Sequence, residues 1–531
     1  MKTREQMKLL SLTTGELLYR TAQWFPERPA LEYYGRIWTY HQLDAETDQL
    51  AKGFLALGVL RGNHVALWTE NHPNTLLCCY ALLKIGVIPV FLGGCATERE
   101  LSERVTEGEC TYLLFSGQVH GIPVEAVVPA RGLPGVRVAY CIDDESAAPG
   151  LEHIRQAGNT LPEGMLEQAK AAVRPDDPDI LLFTSGSSGR PKGVLLTHYA
   201  RINDALALAA AMRITEKDRF CCALPLFHCF AFTANAICAL AAGACICFPE
   251  SVHTADVLRT IQEKRCTIFM GVPTMFSAIL ARPDLDSYDL SSLRTGLMAG
   301  SSYPPTLFLQ ARRALGYQLL PAYGLTEATG GVTCGSFSDS EELLSRSVGK
   351  PLPHIEIRIW DGDRRIWTSP GETGEIFIRG YCVMDGYYGQ DHAEGSGLNA
   401  DGWFATGDIG KMDKQGNLYI VGRRKELIIR GGENILPTEI EDAIMADRRV
   451  AQVKVVGIPD PHYIEEICAC VVPKTQISAA EIQDLVRASL GPRKIPKYVL
   501  FIDALPQNAT GKIDFSAVRT IAMERLRLNE L

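Results

Sequence analysis

Leu43, Thr47, Leu50, Phe54 and Leu57 recur at helical spacing, and Gly58 follows them as a stop. Further on, NTLLCCYALLKIG reads as a helix ending at Gly86 and VIPVFL as a buried strand. The same unit returns as TADVLRTIQEKR before CTIFMGV, and as PPTLFLQARRALG before YQLLPAYG. This alternation predicts layered α/β units with largely parallel strands. Between about Ser347 and Tyr388 the period changes to two: HIEIRIW, a turn at Asp361-Gly362, then GEIFIRG. A small antiparallel β unit is expected there. A strand then ends in the basic cluster of GRRKELIIRGGENILPTEIEDAI, followed by a glycine turn and a Pro-started helix. The rest reads β, β, α, β, loop, α, enough for a separate small α+β domain. The boundary falls near Arg423–Lys425. The domains are therefore 1–422, a connection at 423–426, and 427–531.

Length and composition agree with that division. The chain has 531 residues, beyond the roughly 250–300 at which one core stops growing. A formal charge of −9 argues against nucleic acid or an anionic membrane as the main partner. The 16 cysteines show no CxxC spacing and many lie in apolar runs, which fits reduced, buried thiols. The N-terminus has no apolar signal region. The most apolar run, FAFTANAICALAAGACICF, suits a buried helix and strand better than a membrane span. A cytoplasmic protein is expected.

One stretch carries the chemistry: FTSGSSGRPKGVLLTH, Phe183 to His198. A Walker A loop has glycine directly before its lysine, Ser or Thr after it, and then a helix. Here Pro191 precedes Lys192 and Gly193 follows it, between two apolar strand-like runs. The pattern predicts strand–loop–strand. Gly186 and Gly189 let backbone N–H groups close on an anion, and Thr184, Ser185, Ser187 and Ser188 add hydroxyl donors.

TSGSSGRPKG resembles the phosphate loop of the adenylate-forming superfamily, which includes acyl-CoA synthetases, aryl-CoA ligases, peptide-synthetase adenylation domains and beetle luciferases. Four more of its signatures follow in order: YGLTEAT (Tyr323–Thr329), GWFATGDIG (Gly402–Gly410), GRRKELIIRGGENILPTEIE (Gly422–Glu441) and NATGKID (Asn508–Asp514). The resemblance spans nearly the whole chain and is strongest to medium- and long-chain fatty acyl or alicyclic acyl-CoA ligases. It implies a large N-terminal adenylation domain and a small mobile C-terminal one. It also implies ATP, Mg²⁺ and CoA: a carboxylate joins the α-phosphate, pyrophosphate leaves, and the acyl group passes to a thiol.

The resemblance assigns roles. Lys512 would neutralise charge where two anions meet. Glu327 would be the Mg²⁺ ligand, since a hard cation prefers carboxylate and water. Asp408 and Arg423 would hold the ribose; Gly324, Thr326, Lys192 and the opening loop would hold the phosphates. Tyr323 would stack on adenine. Lys425 sits at the hinge about which the small domain would turn. Gly431 and Gly432 would let pantetheine pass close to backbone.

The acyl pocket is expected around His228, Cys229, Gly300, Ser301 and Ser302, with His228 beside the acyl carboxylate. Phe227, Phe230, Phe232 and the small-residue helix after them suggest apolar walls. Hydroxybenzoate-activating relatives commonly carry Asn where this chain has Cys229. Gly93-Gly94 stands where many relatives have Asn-Pro, which leaves the acid open. Two alternatives remain: a stand-alone adenylation enzyme serving a separate carrier protein, and a non-catalytic nucleotide- or acyl-binding protein of the same fold.

Overall fold

The computed structural model describes residues 7–130, 132–143, 149–184, 191–389, 397–399, 401–431, 433–508 and 512–526. The predicted helices form. Thr39 caps Tyr40–Ala56 through a reciprocal pair with Gln42, and Gly58 takes φ +81° beyond its end. Pro73–Lys84, Thr254–Glu263 and Pro305–Ala314 are the other three, each followed by its strand.

Two largely parallel sheets form the layers. The nine-stranded sheet runs from the edge pair Arg36–Thr39 and Pro29–Tyr33 to Gln318–Tyr323, Thr333–Cys334 and Lys350–Pro351. The six-stranded sheet is parallel from Val138–Cys141 to Pro178–Thr184 and ends in an antiparallel pair, Pro178–Thr184 with Lys192–Thr197. Helices pack between and around them over one extended core that includes Leu67, Phe220, Phe232, Phe269 and Phe308, all below 2% exposed. Each such side chain contributes about 1.5–3 kcal/mol by leaving water.

The β unit is larger than expected. Its five antiparallel strands continue past Tyr388 through Phe404–Met412 and Leu418–Arg423. The added strand Phe404–Met412 carries Gly407, Asp408 and Gly410, which interrupt its alternation and hide it in the sequence.

A short 3-10 turn, Arg424–Glu426, leads from that sheet into another. The C-terminal sheet centres on Val450–Asp460 and Ile464–Pro473. Ile440, Ile444, Ile482 and Val486 cover one face; Val518 and Ala522 cover the other. This unit thus owns two small cores of its own.

Candidate active site

A cleft of about 3720 Å³ runs between the large unit and the C-terminal unit. The strand Pro178–Thr184 and its partner Lys192–Thr197 bring Thr184 and Lys192 to it as cross-strand neighbours. This is the predicted strand–loop–strand. Ser185, Gly186, Ser187, Ser188 and Gly189 lie outside the described residues. The hairpin is fixed from beneath. Thr197 caps the next helix, His198–Met212, and Arg201 Nε donates to Asp179 Oδ2 at 2.8 Å in a fully buried pair. A buried ion pair anchors geometry because parting it would strand a charge.

Beside it, Gln318–Tyr323 and Thr333–Cys334 flank the turn that presents Gly324, Thr326 and Glu327 to the cleft. Tyr387 organises this corner. Its hydroxyl donates to Glu327 Oε1 at 3.1 Å, and its ring lies 4.5 Å from Lys192 Nζ. The Glu327 carbonyl accepts from Met384 N–H at 2.9 Å. Among the described residues no Lys or Arg pairs with the Glu327 carboxylate.

Asp408 sits on Phe404–Met412, 5% exposed, opposite Arg423 in register. Tyr323 Oη donates to Asp408 Oδ2 at 2.7 Å, and Arg423 Nε lies 3.1 Å from Oδ1. Asp408 also holds the Arg423 guanidinium more firmly protonated than usual. Each carboxylate oxygen has one such partner and a second lone pair, and Asp408 lines the cleft, so the carboxylate has capacity for two hydroxyl donors.

Lys512 enters from the C-terminal unit. Its N–H donates to Asn508 Oδ1 at 3.1 Å, and its carbonyl accepts from Asn508 N–H at 2.8 Å. The side chain lies against Gly300: a Cβ there would sit 3.3 Å from Lys512 Cε. Burial, with the Arg423 charge adding to it, pulls the Lys512 pKa below the usual lysine value. Burial and then Lys512 push the His228 imidazole down to about 3. Cys229 is the next residue, its Sγ 3.6 Å from Thr326 Oγ1, and burial raises its thiol. Gly300, Ser301 and Ser302 line the same cleft. One ammonium thus faces a neutral imidazole, a neutral thiol and a carboxylate–guanidinium pair.

A family description settles what such a cleft belongs to. The AMP-binding enzyme model matches residues 18–388, and the AMP-binding enzyme C-terminal domain matches residues 439–512. The chain belongs to the AMP-binding enzyme family. YngI of Bacillus subtilis (strain 168), named as an acyl-CoA synthetase, is 34% identical over 98% of this chain and 99% of its own. The mitochondrial medium-chain acyl-CoA ligase ACSF2 of Homo sapiens is 34% identical over 97% of this chain and 88% of its own. ATP-bound MatB from Rhodopseudomonas palustris superposes with a TM-score of 0.85 at 26% identity, over 97% of this chain and all of that one. The expected adenylate-forming, ATP-dependent acid–CoA ligase is borne out by these likenesses.

In this AMP-binding enzyme Lys425 is exposed, between two anchored neighbours. Arg424 Nη1 reaches Glu375 Oε2 of the large unit at 3.0 Å. Glu426 reaches Lys454 of the C-terminal unit at 3.1 Å, and Lys454 also pairs with Glu441 at 3.2 Å. Gly431 is not brought to the cleft: it is exposed, at φ +59°, donating to the Tyr463 carbonyl at 2.8 Å. Gly432 lies outside the described residues.

The expected apolar wall needs one correction. Phe227, Phe230 and Ala234 line the cleft, but Phe232 does not. It opens a π-helical turn, Phe232–Ile237, and points into the core between Phe91 and the Arg201 guanidinium. Gly93 gains a reason: a Cβ there would fall 2.7 Å from Phe227 Cδ1, so the glycine seats the Phe227 ring. Tyr387 was not legible, since the tyrosine pair of DGYYG has no spacing signal. None of the 16 cysteines is in a disulfide, and no described helix is long and apolar enough to cross a membrane.

Proposed function

We propose that this AMP-binding enzyme activates an apolar, medium- or longer-chain carboxylic acid as its acyl-adenylate and transfers the acyl group to free CoA. The observation that carries the reading is Lys512 held in the cleft against Gly300, beside His228, with Asp408 and Arg423 among its neighbours. The acyl pocket would run past His228 and Gly300, with Val272 and Leu307 along it and Phe227 and Phe230 at one side. A relative named for medium-chain acids agrees with it.

In the first step the acid's carboxylate oxygen attacks the α-phosphorus, and the bond to pyrophosphate breaks. Lys512 brings the positive charge to the two converging anions, and the neutral His228 orients the acid. Asp408 accepts from the ribose hydroxyls while Arg423 donates; Thr184, Lys192, Thr326 and the opening loop bind the phosphates. Glu327 and Thr326 supply hard oxygen donors with no competing cation among the described residues, and so fit Mg²⁺. Bound there, the ion would offset phosphate charge.

The second step needs the acyl carbonyl open to a thiol. Lys425 is free to rotate because only its neighbours are pinned, one to each unit. Turning about residues 423–426 would withdraw Lys512 and bring the Gly431–Gly432 turn forward for pantetheine. The thiolate then attacks the acyl carbon and AMP leaves. Cysteines with no disulfide among them fit a reducing compartment, and the cytoplasm is the one proposed. A screen of straight-chain, aryl and dicarboxylic acids tests the reading by following AMP release with and without CoA. Preference for aryl or dicarboxylic acids, or AMP formation without acyl-CoA, would contradict it.

A further inference from the structure

The turn that carries Thr326 and Glu327 is held from behind by a residue that no motif contains. Asp204 lies on the helix His198–Met212 and is wholly buried. Its Oδ2 accepts from Gly331 N–H at 2.9 Å, while Oδ1 has no partner among the described residues. The Thr329 hydroxyl, which donates to the Ala328 carbonyl at 2.7 Å, borders the same carboxyl. The fit is close: a Cβ on Gly331 would lie 2.6 Å from Asp204 Oδ1.

The geometry of the turn depends on that seat. Thr329 takes φ +60° and Gly330 φ +120°, which reverses the chain directly after Glu327 and Ala328. Val332 N–H then closes the turn on the Tyr323 carbonyl at 2.8 Å. On the other side, a Cβ on Gly330 would meet the Cys229 backbone at 3.4 Å. The turn is therefore clamped between Asp204 and the His228–Cys229 segment, with its two oxygen-bearing side chains facing the cleft.

We infer that Asp204 is a positioning residue of the reaction: through Gly331 it fixes the turn that aims Thr326 and Glu327 at the nucleotide. This rests on the nucleotide-binding reading above. Burial raises the Asp204 carboxyl well above the usual carboxylate range, so the site disfavours charge, and an amide offers Gly331 N–H the same acceptor without one.

The test uses the full-length enzyme and four variants: Asp204→Asn, Asp204→Val, Gly331→Ala and Glu327→Gln. Calorimetric titration with Mg²⁺-ATP, without acid, is read beside pyrophosphate exchange and the melting temperature. Asp204→Asn is expected to stay within about threefold of the parent in both affinity and exchange, because the amide oxygen still accepts from Gly331 N–H. Asp204→Val should lose about 100-fold in exchange, the scale of a displaced reacting group, with weaker Mg²⁺-ATP binding. Gly331→Ala crowds the same contact from the turn's side. It should show the same pattern even if Asp204→Val does not fold. Folded Asp204→Val and Gly331→Ala with affinities like the parent's, beside an impaired Glu327→Gln, would overturn this inference alone. Equal losses in Asp204→Asn and Asp204→Val would also overturn it. An unimpaired Glu327→Gln would remove the nucleotide-binding reading on which it stands.

Discussion

Lys512 of the C-terminal unit lies against Gly300 of the large unit, its Nζ 3.7 Å from where a Gly300 Cβ would stand. Gly300 is at φ +95°, and the same Cβ would press Val272 Cγ1 at 3.2 Å. Gly300→Ala therefore strains the backbone and crowds the amine at once. Its expected effect is about a tenfold loss of pyrophosphate exchange, on the scale of a modest misplacement. Conversion of supplied acyl-adenylate to acyl-CoA should fall less than exchange does, since only the acyl side of the contact is then in use.

The depressed Lys512 pKa sets a pH limit. The ammonium is the useful form, so its contribution is present at low pH and lost as pH rises through its lowered value. In kcat/KM for exchange, which reports the free enzyme, the alkaline limb should fall below the ordinary lysine range. Lys512→Arg, which stays protonated, should move that limb upward even if it lowers the plateau. Identical limbs in both proteins would sink the assignment. His228, already near 3, should add no inflection between pH 5 and 8.

Much of the fold was legible because the α/β layers repeat one simple unit. The strand Phe404–Met412 was not, because Gly407 and Asp408 serve the site rather than the alternation. The motifs pointed to residues that the structure does bring together: Tyr323, Asp408, Arg423 and Lys512 meet from four separate stretches. What motifs could not give is the support behind them. Tyr387 reaches Glu327 from 60 residues away, and the Phe227 ring rests on Gly93 in the gap left by a missing Cβ. Phe232 was misplaced because two residues on from Phe230 is about 200° around a helix, which turns its ring to the core instead of the cleft.

Gly93 offers a handle on the acid. An alanine there would press Phe227 Cδ1 from 2.7 Å and shift that ring along the cleft wall. Gly93→Ala should raise KM for the acid by about tenfold, the lower scale for overpacking, and leave KM for ATP unchanged. Equal changes in both would point to general damage instead.

Chain length should matter in a graded way. With Val272, Leu307, Phe227 and Phe230 lining the cleft, each added methylene should raise kcat/KM about fourfold until the pocket fills. An optimum at acetate, or a strict demand for a hydroxylated aromatic acid, would defeat the pocket assigned here.

The central claim is that one lysine serves only the first half-reaction, and that a turn about Lys425 then removes it. The direct test measures both half-reactions in Lys512→Ala and Lys425→Pro, with acyl-adenylate supplied for the second. Lys512→Ala should lose about 100- to 1000-fold in pyrophosphate exchange, as when one donor to a transition-state charge is removed, yet still convert acyl-adenylate to acyl-CoA. Lys425→Pro fixes φ near −65° and should show the reverse, with exchange kept and thioester synthesis lost. If Lys512→Ala is equally defective on supplied acyl-adenylate, or Lys425→Pro makes acyl-CoA at the parent rate, the account is contradicted.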